Sequence, residues 1–130
     1  MIRIRCSGSP PEELELAGTK SELTLLRDAL FRFCKLKRPL LEVPVDQTFD
    51  PAPYERRLSG LRFVRSAGKL RIVVNEDRIL VSGTLELLEL FAQNLPCDAE
   101  GTPHHVHFDV FERKGQMEPD SLGIVLTLTS

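Results

Sequence analysis

A chain of 130 residues with 42% hydrophobic content and no tryptophan is long enough to bury one real core and too short for two large independent ones. Its formal net charge of −2 argues against a dedicated nucleic-acid binder, because neutralising phosphates takes a concentrated basic surface. No apolar run approaches the roughly 18 residues that span a bilayer. The opening "MIRIRCSGSPP" has neither the apolar stretch nor the cleavage pattern of a secretory signal, so a cytoplasmic protein without a membrane partner is expected. Cys6, Cys34 and Cys97 are odd in number and lack C-x-x-C spacing, which favours reduced thiols over a disulfide framework.

In chain order, "MIRIRCS" and "LELAG" alternate apolar with polar residues at period 2 and predict a hairpin. After Gly18 the period becomes helical through Leu23, Leu26 and Leu30. Thr19 is a natural N-cap, Glu22 follows in the first turn, and Pro39 bars continuation. "PLLEVPV" then predicts a strand, "DQTFDPAPYERRLSG" a long connection, and the residues around Leu61 and Phe63 another strand. "KLRIVVN" and "RILVSG" predict a second hairpin, turned at "NED". Thr84 caps a second helix carrying Leu87, Leu88, Phe91 and Leu95, which Pro96 ends. "HHVHFDV", residues 104–110, predicts a strand, "ERKGQMEPDSLG" a second long connection, and the remainder a final strand.

The two runs of elements are the same pattern twice. Slid by about 65 residues, Gly18 meets Gly83, Thr19 meets Thr84, Leu23 meets Leu88, Leu26 meets Phe91 and Leu30 meets Leu95. The same register carries Leu41, Val43 and Val45 onto Val106, Phe108 and Val110, and Leu61 and Phe63 onto Leu126 and Leu128. A small shift matches Ile2-Arg3-Ile4 with Leu70-Arg71-Ile72. The expectation is therefore a single α+β domain over 1–130, a duplicated β-β-α-β-β repeat (about 1–65 and 66–130) with pseudo-twofold symmetry. Its two helices pack on one face of a largely antiparallel sheet. The first 65 residues hold 12 basic and 9 acidic side chains and the rest 5 and 10, so the halves attract each other.

On the "HHVHFDV" strand, Val106, Phe108 and Val110 share the core-facing side and His105, His107 and Asp109 the other. The first half offers Leu40, Glu42 and Pro44 there, so the fold does not require the histidines. Same-face neighbours lie about 6.6 to 7 Å apart along a strand, and a compact zinc site wants three or four ligands at about 2.0 to 2.2 Å. The expectation is a solvated or partner-facing strand, with no metal and no cofactor. No motif pairs Cys97 or Ser121 with a base, and there is no P-loop or G-x-G-x-x-G, so no catalysis is expected.

Both long connections invite function, since long loops on a small scaffold are disproportionately used for it. In the first, Asp50-Pro51 and Pro53 stiffen a segment that packs Tyr54, Glu55, Arg56 and Arg57 together, the composition of a recognition loop. The competing structural reading folds Phe49 and Tyr54 onto the sheet as a flap. Arg56 and Arg57 with Lys35, Lys37 and Arg38 could form a basic patch or a solvated face. The partner-binding candidates are thus Asp50, Tyr54, Arg56, Arg57, His105, His107 and Asp109.

"DPAPYERRLSGLRF", "LRIVVNEDRILVSGTLELLELFAQNL" and "HVHFDVFERKGQMEPDSLGIVL" together resemble the immunity protein 32 type, a family of small bacterial immunity proteins of polymorphic toxin systems. The resemblance covers roughly residues 50 to 128. Its D-P-x-P-Y-x-x-x-L falls on Asp50, Pro51, Pro53, Tyr54 and Leu58, and its H-x-H-x-acidic strand on His105, His107 and Asp109. Its closing pattern falls on Pro119, Ser121 and Leu122. After Phe111 the family pattern leads to a Pro-Gly-His type turn, whereas this chain has "ERKGQ". The resemblance implies a protein that neutralises a toxin domain by binding it. The other readings are a small-molecule or metal-binding protein using the His105, His107, Asp109 face, and a duplicated structural adaptor or homodimer.

Overall fold

The computed structural model describes residues 1–8, 13–101, 104–113 and 115–129. The turn of the first hairpin, residues 9–12, lies outside them. In chain order the elements are β1 (Arg3–Ser7), β2 (Glu13–Gly18), α1 (Lys20–Lys35), β3 (Leu40–Val43), the short β4 (Arg56–Arg57) and β5 (Gly60–Arg65). The second half follows as β6 (Arg71–Asn75), β7 (Arg78–Gly83), α2 (Leu85–Gln93), β8 (His104–Phe108) and β9 (Ile124–Leu128). Among the described residues, no helix is long and apolar enough to cross a membrane.

The architecture is α+β, with two helices packed against two mostly antiparallel sheets. The strands lie in the orders β4-β1-β2-β9-β8 and β3-β5-β7-β6. Each half gives its hairpin to one sheet and its last strands to the other. The joints between halves are the two parallel pairs, β2 with β9 and β5 with β7. Period-2 alternation specifies which side of a strand is buried and not which strand it pairs with. The division into two sheets was therefore invisible in the alternation, as was β4, a two-residue strand that pairs with β1.

Cross-strand partners run in matching rows through the two sheets. In one, Ile4 pairs with Leu16, Leu16 with Leu126, and Leu126 with Val106. In the other, Ile72 pairs with Val81, Val81 with Phe63, and Phe63 with Leu41. Leu41 thus stands where Val106 does, and Ile4 where Ile72 does, as the sequence register has it. The last strands depart from that register by two residues. Leu61 corresponds to Ile124 and Phe63 to Leu126, because the connections leading into β5 and β9 differ in length.

The Gly-Thr pair common to both halves has a physical cause. A Cβ on Gly18 would lie 2.9 Å from the Ile2 side chain, and one on Gly83 would lie 3.3 Å from the Leu70 Cα. A side chain at either position would crowd the residue just before the first strand of its half, Ile2 or Leu70. The following threonines cap the helices: the Thr19 hydroxyl accepts from the Glu22 N–H at 3.2 Å while the Glu22 carboxylate accepts from the Thr19 N–H at 2.9 Å. The Thr84 hydroxyl accepts from the Leu87 N–H at 3.3 Å.

Buried side chains of both halves form one cluster. Phe91 of α2 is central, its ring 5.6 Å from Phe63 on one sheet and 5.3 Å from Phe108 on the other. Cys6, Cys34 and Cys97 are free and buried, and burial pushes the Cys34 and Cys97 thiols above the ordinary range. Large-to-small changes in such a core cost lost contacts and leave a cavity. Phe91→Ala should destabilise by about 3–5 kcal/mol and Leu26→Ala by about 2–5 kcal/mol. Because neither half completes a sheet alone, urea melts should show one transition; a first transition confined to one half would contradict the interleaved core.

Candidate functional site

The outer face of the five-stranded sheet carries Arg3 and Arg5 of β1, Glu15 and Ala17 of β2, Thr127 and Thr129 around β9, and His105 and His107 of β8, since alternate strand residues share a face. Glu15 and Thr127 are only 7% and 5% exposed. A carboxylate this shielded needs partners for both oxygens. Arg5 Nε donates to Glu15 Oε1 at 2.7 Å, and the Thr127 hydroxyl donates to Glu15 Oε2 at 3.1 Å. His105 Nδ1 lies 3.0 Å from Thr127 Oγ1. With the hydroxyl proton directed at the carboxylate, the Thr127 oxygen accepts, so Nδ1 carries a hydrogen and Nε2 faces outward. The imidazole is held in place by this row. It is also unable to act as a base toward the Thr127 hydroxyl.

Arg5 ties the first long connection to the same face. Its Nη1 donates to the Pro51 carbonyl at 3.0 Å and the Ala52 carbonyl at 2.8 Å, and its guanidinium lies 4.4 Å from the Tyr54 ring centroid. Asp50 Oδ1 accepts from the Ala52 N–H at 3.0 Å, closing a turn. Arg57, paired with Arg5 across β4 and β1, donates to the Phe49 carbonyl at 2.9 Å. Leu58 anchors the far end, fully buried, its N–H on the Ile4 carbonyl at 2.9 Å. The segment thus has features of both expected forms. Phe49 and Tyr54 are half-buried as in a flap, while Asp50, Glu55, Arg56 and Arg57 are exposed as in a recognition loop. Phe49, Asp50, Arg3, Arg5, His105 and Thr127 contribute to a recess of about 350 Å³.

Of the residues singled out from sequence, Asp50, Tyr54, Arg57 and His105 converge here, and His107 is exposed on the same strand face as His105. Asp109 does not join them. The strand ends at Phe108, and the Asp109 carboxylate instead accepts from the Glu112 N–H at 2.9 Å, capping the turn that follows. A Cβ at position 123 would approach Asp109 Cβ to 2.8 Å, so Gly123 makes room for that turn. Arg56 is drawn to the β6–β7 turn, 3.3 Å from the Glu76 carbonyl and 3.7 Å from the Asp77 carboxylate. Lys35, Lys37 and Arg38 lie at the end of α1, before β3 of the other sheet. Ser121 of the closing motif is structural, its hydroxyl accepting from the Ile72 N–H at 2.8 Å.

Arg5, Glu15 and Thr127 were missed from the sequence because Arg5 and Glu15 look like an ordinary outward-facing pair of one hairpin and Thr127 joins them from the far end of the chain. By the matching rows, Arg5, Glu15, Thr127 and His105 correspond to Val73, Leu80, Val64 and Leu40 on the other sheet. These four positions are apolar on one sheet and a hydrogen-bonded polar network on the other, although the first also carries the Arg62–Glu42 ion pair beside them. No family model, curated protein or solved structure matches this chain. Among the described residues, no three His, Cys, Asp or Glu side chains gather in a way that could hold a metal ion.

Burial, then the nearby Glu15 carboxylate, pushes the Tyr54 hydroxyl above its ordinary value, with Arg5 opposing. As this is the one tyrosine in a chain without tryptophan, ultraviolet titration reads it directly. Tyr54 should ionise at higher pH in the folded protein than in denaturant. The unfolded chain then releases the proton first, so stability should fall as pH rises past about 10. Equal titration in the two states would mean that the loop does not pack on Arg5.

Proposed function

We propose that the protein is a non-catalytic, cytoplasmic binding protein that acts as an immunity or antitoxin-like partner, occluding the surface of a toxin domain with the outer face of its five-stranded sheet. One observation carries the reading. The hydrogen-bonded chain Arg5–Glu15–Thr127–His105 stands at four positions whose counterparts on the other sheet, Val73, Leu80, Val64 and Leu40, are apolar, and it costs desolvation that the fold does not need to incur. What the row provides is a set of side chains fixed before binding: His105 oriented through Thr127, and Tyr54 and Asp50 positioned through Arg5. Held polar and aromatic groups around a recess suit protein recognition, because little side-chain entropy remains to be lost. The D-P-x-P-Y-x-x-x-L and H-x-H resemblances fall on this same face. Matching ladders in the two sheets support reading the chain as two repeats of about 1–65 and 66–130, with the binding features added to one sheet.

The test is co-expression with the toxin domain encoded by the gene immediately upstream. The wild-type chain should protect cells and co-purify with that domain. His105→Gln with His107→Gln should weaken the complex at least about tenfold while shifting stability by no more than about 1 kcal/mol, as hydrogen-bonded surface changes do. A complex that forms equally well with the double variant would move the interface elsewhere, and no complex at all would remove the immunity reading. Stoichiometric micromolar zinc binding by calorimetry, lost in the same variant, would favour a metal-binding protein instead.

A further inference from the structure

The two halves differ in how they close the cleft between helix and third strand. In the second half the chain leaves β8 at Phe108 and passes through residues 109–116 before Met117 runs beside Leu70. In the first half Pro44 alone separates β3 from Val45, which runs beside Ile2 in the same way. The longer segment covers its cleft. Arg113 sits with its guanidinium 5.1 Å from the Phe108 ring centroid and bonds Asn94 Oδ1 at the end of α2, and Val110 packs against the core.

The corresponding cleft of the first half has no such cover. Between α1 and β3 lies an open groove lined by the apolar Leu25, Ala29, Leu36, Leu40 and Leu41 together with Arg32, Arg38, Asp28 and Glu42, the two carboxylates already paired with Arg27 and Arg62. Leu25, Leu36 and Leu40 are 71%, 52% and 44% exposed, and β3 is an edge strand. Clustered exposed apolar side chains on a small protein mark an interaction surface.

The same chain displays a knob of matching chemistry. Phe111 is 96% exposed on a turn braced by Glu112 N–H to Asp109 Oδ1 at 2.9 Å and Arg113 N–H to the Asp109 carbonyl at 2.9 Å. Glu112 beside it has no ion-pair partner among the described residues, and neither have Arg32 and Arg38.

The geometry points to self-association: the 109–113 turn of one copy docks on the α1–β3 groove of a second copy, Phe111 entering between Leu25 and Leu40 with Glu112 against Arg32 and Arg38. A turn that already covers one cleft of this fold with its Val110 and Arg113 side thereby covers the equivalent cleft of a neighbour with its Phe111 side. The contact joins two different surfaces and is therefore heterologous, closing by reciprocity or propagating. It uses neither the histidine face nor the 46–57 loop, so it stands apart from the toxin-binding reading.

Sedimentation velocity over a concentration series tests it, with Phe111→Ser and Leu25→Glu as variants. Both positions are well exposed, so melting temperatures should match the wild type. Each variant alone should weaken association by about 30-fold, the loss expected of a central anchor. Mixed together, they hold one intact knob and one intact groove, and the mixture should form a heterodimer through that single contact at concentrations where neither variant associates alone. A wild-type protein that stays monomeric throughout, variants that associate like the wild type, or a mixture that stays monomeric would each overturn the proposal.

Discussion

The carboxylate of Glu15 lies almost buried on the solvent side of its own sheet, where both of its oxygens need neighbouring donors. Arg5 and Thr127 supply those donors from the strands on either side. Each is then no longer free to move, and each fixes something further out. Arg5 holds the Pro51 and Ala52 carbonyls and the face of Tyr54, while Thr127 holds the His105 ring. A set of side chains drawn from four strands thus adds to the anchors at Leu58 and Arg57 in holding the 46–57 loop on the sheet. Removing one member leaves the others short of a partner, so the row is a constraint as much as a surface.

That row exists because the halves interleave. Glu15 comes from the first hairpin and Thr127 and His105 from the end of the chain, brought side by side by the parallel pairing of β2 with β9. Its counterpart, β5 with β7, builds the other sheet from the remaining strands. With the sheets meeting around Phe91, neither half has a complete inner face of its own.

Much of the fold was legible because local chemistry leaves local marks. Alternation in "MIRIRCS" and "KLRIVVN" gave the buried faces, and Thr19 and Thr84 gave the helix caps. The choice of strand partners left no such mark, since a parallel joint between residues over a hundred positions apart changes nothing in the alternation at either end. The two-residue offset of β5 and β9 was hidden for a related reason, because a shift by two keeps every side chain on its face. Asp109 failed differently. Its spacing from His107 fits a strand, but an aspartate can equally cap a turn, and the chain bends directly after Phe108. Of the candidate site, the histidines and the Asp50–Tyr54 loop were visible as unusual composition, whereas Arg5, Glu15 and Thr127 looked like ordinary outward-facing residues. Only their apolar counterparts Val73, Leu80 and Val64 make them stand out, and those become counterparts only once the ladders are known.

The most direct measurement of whether Glu15 organises this face is hydrogen–deuterium exchange on Glu15→Ala. Without the carboxylate, Arg5 and Thr127 lose their common acceptor, so the Ala52 and Tyr54 amides and the rest of the 46–57 loop should exchange much faster. The ladder amides of the four-stranded sheet should keep their protection. Unchanged exchange throughout the loop would mean that the segment is held by other contacts, and that the Arg5–Glu15–Thr127–His105 row does not position it.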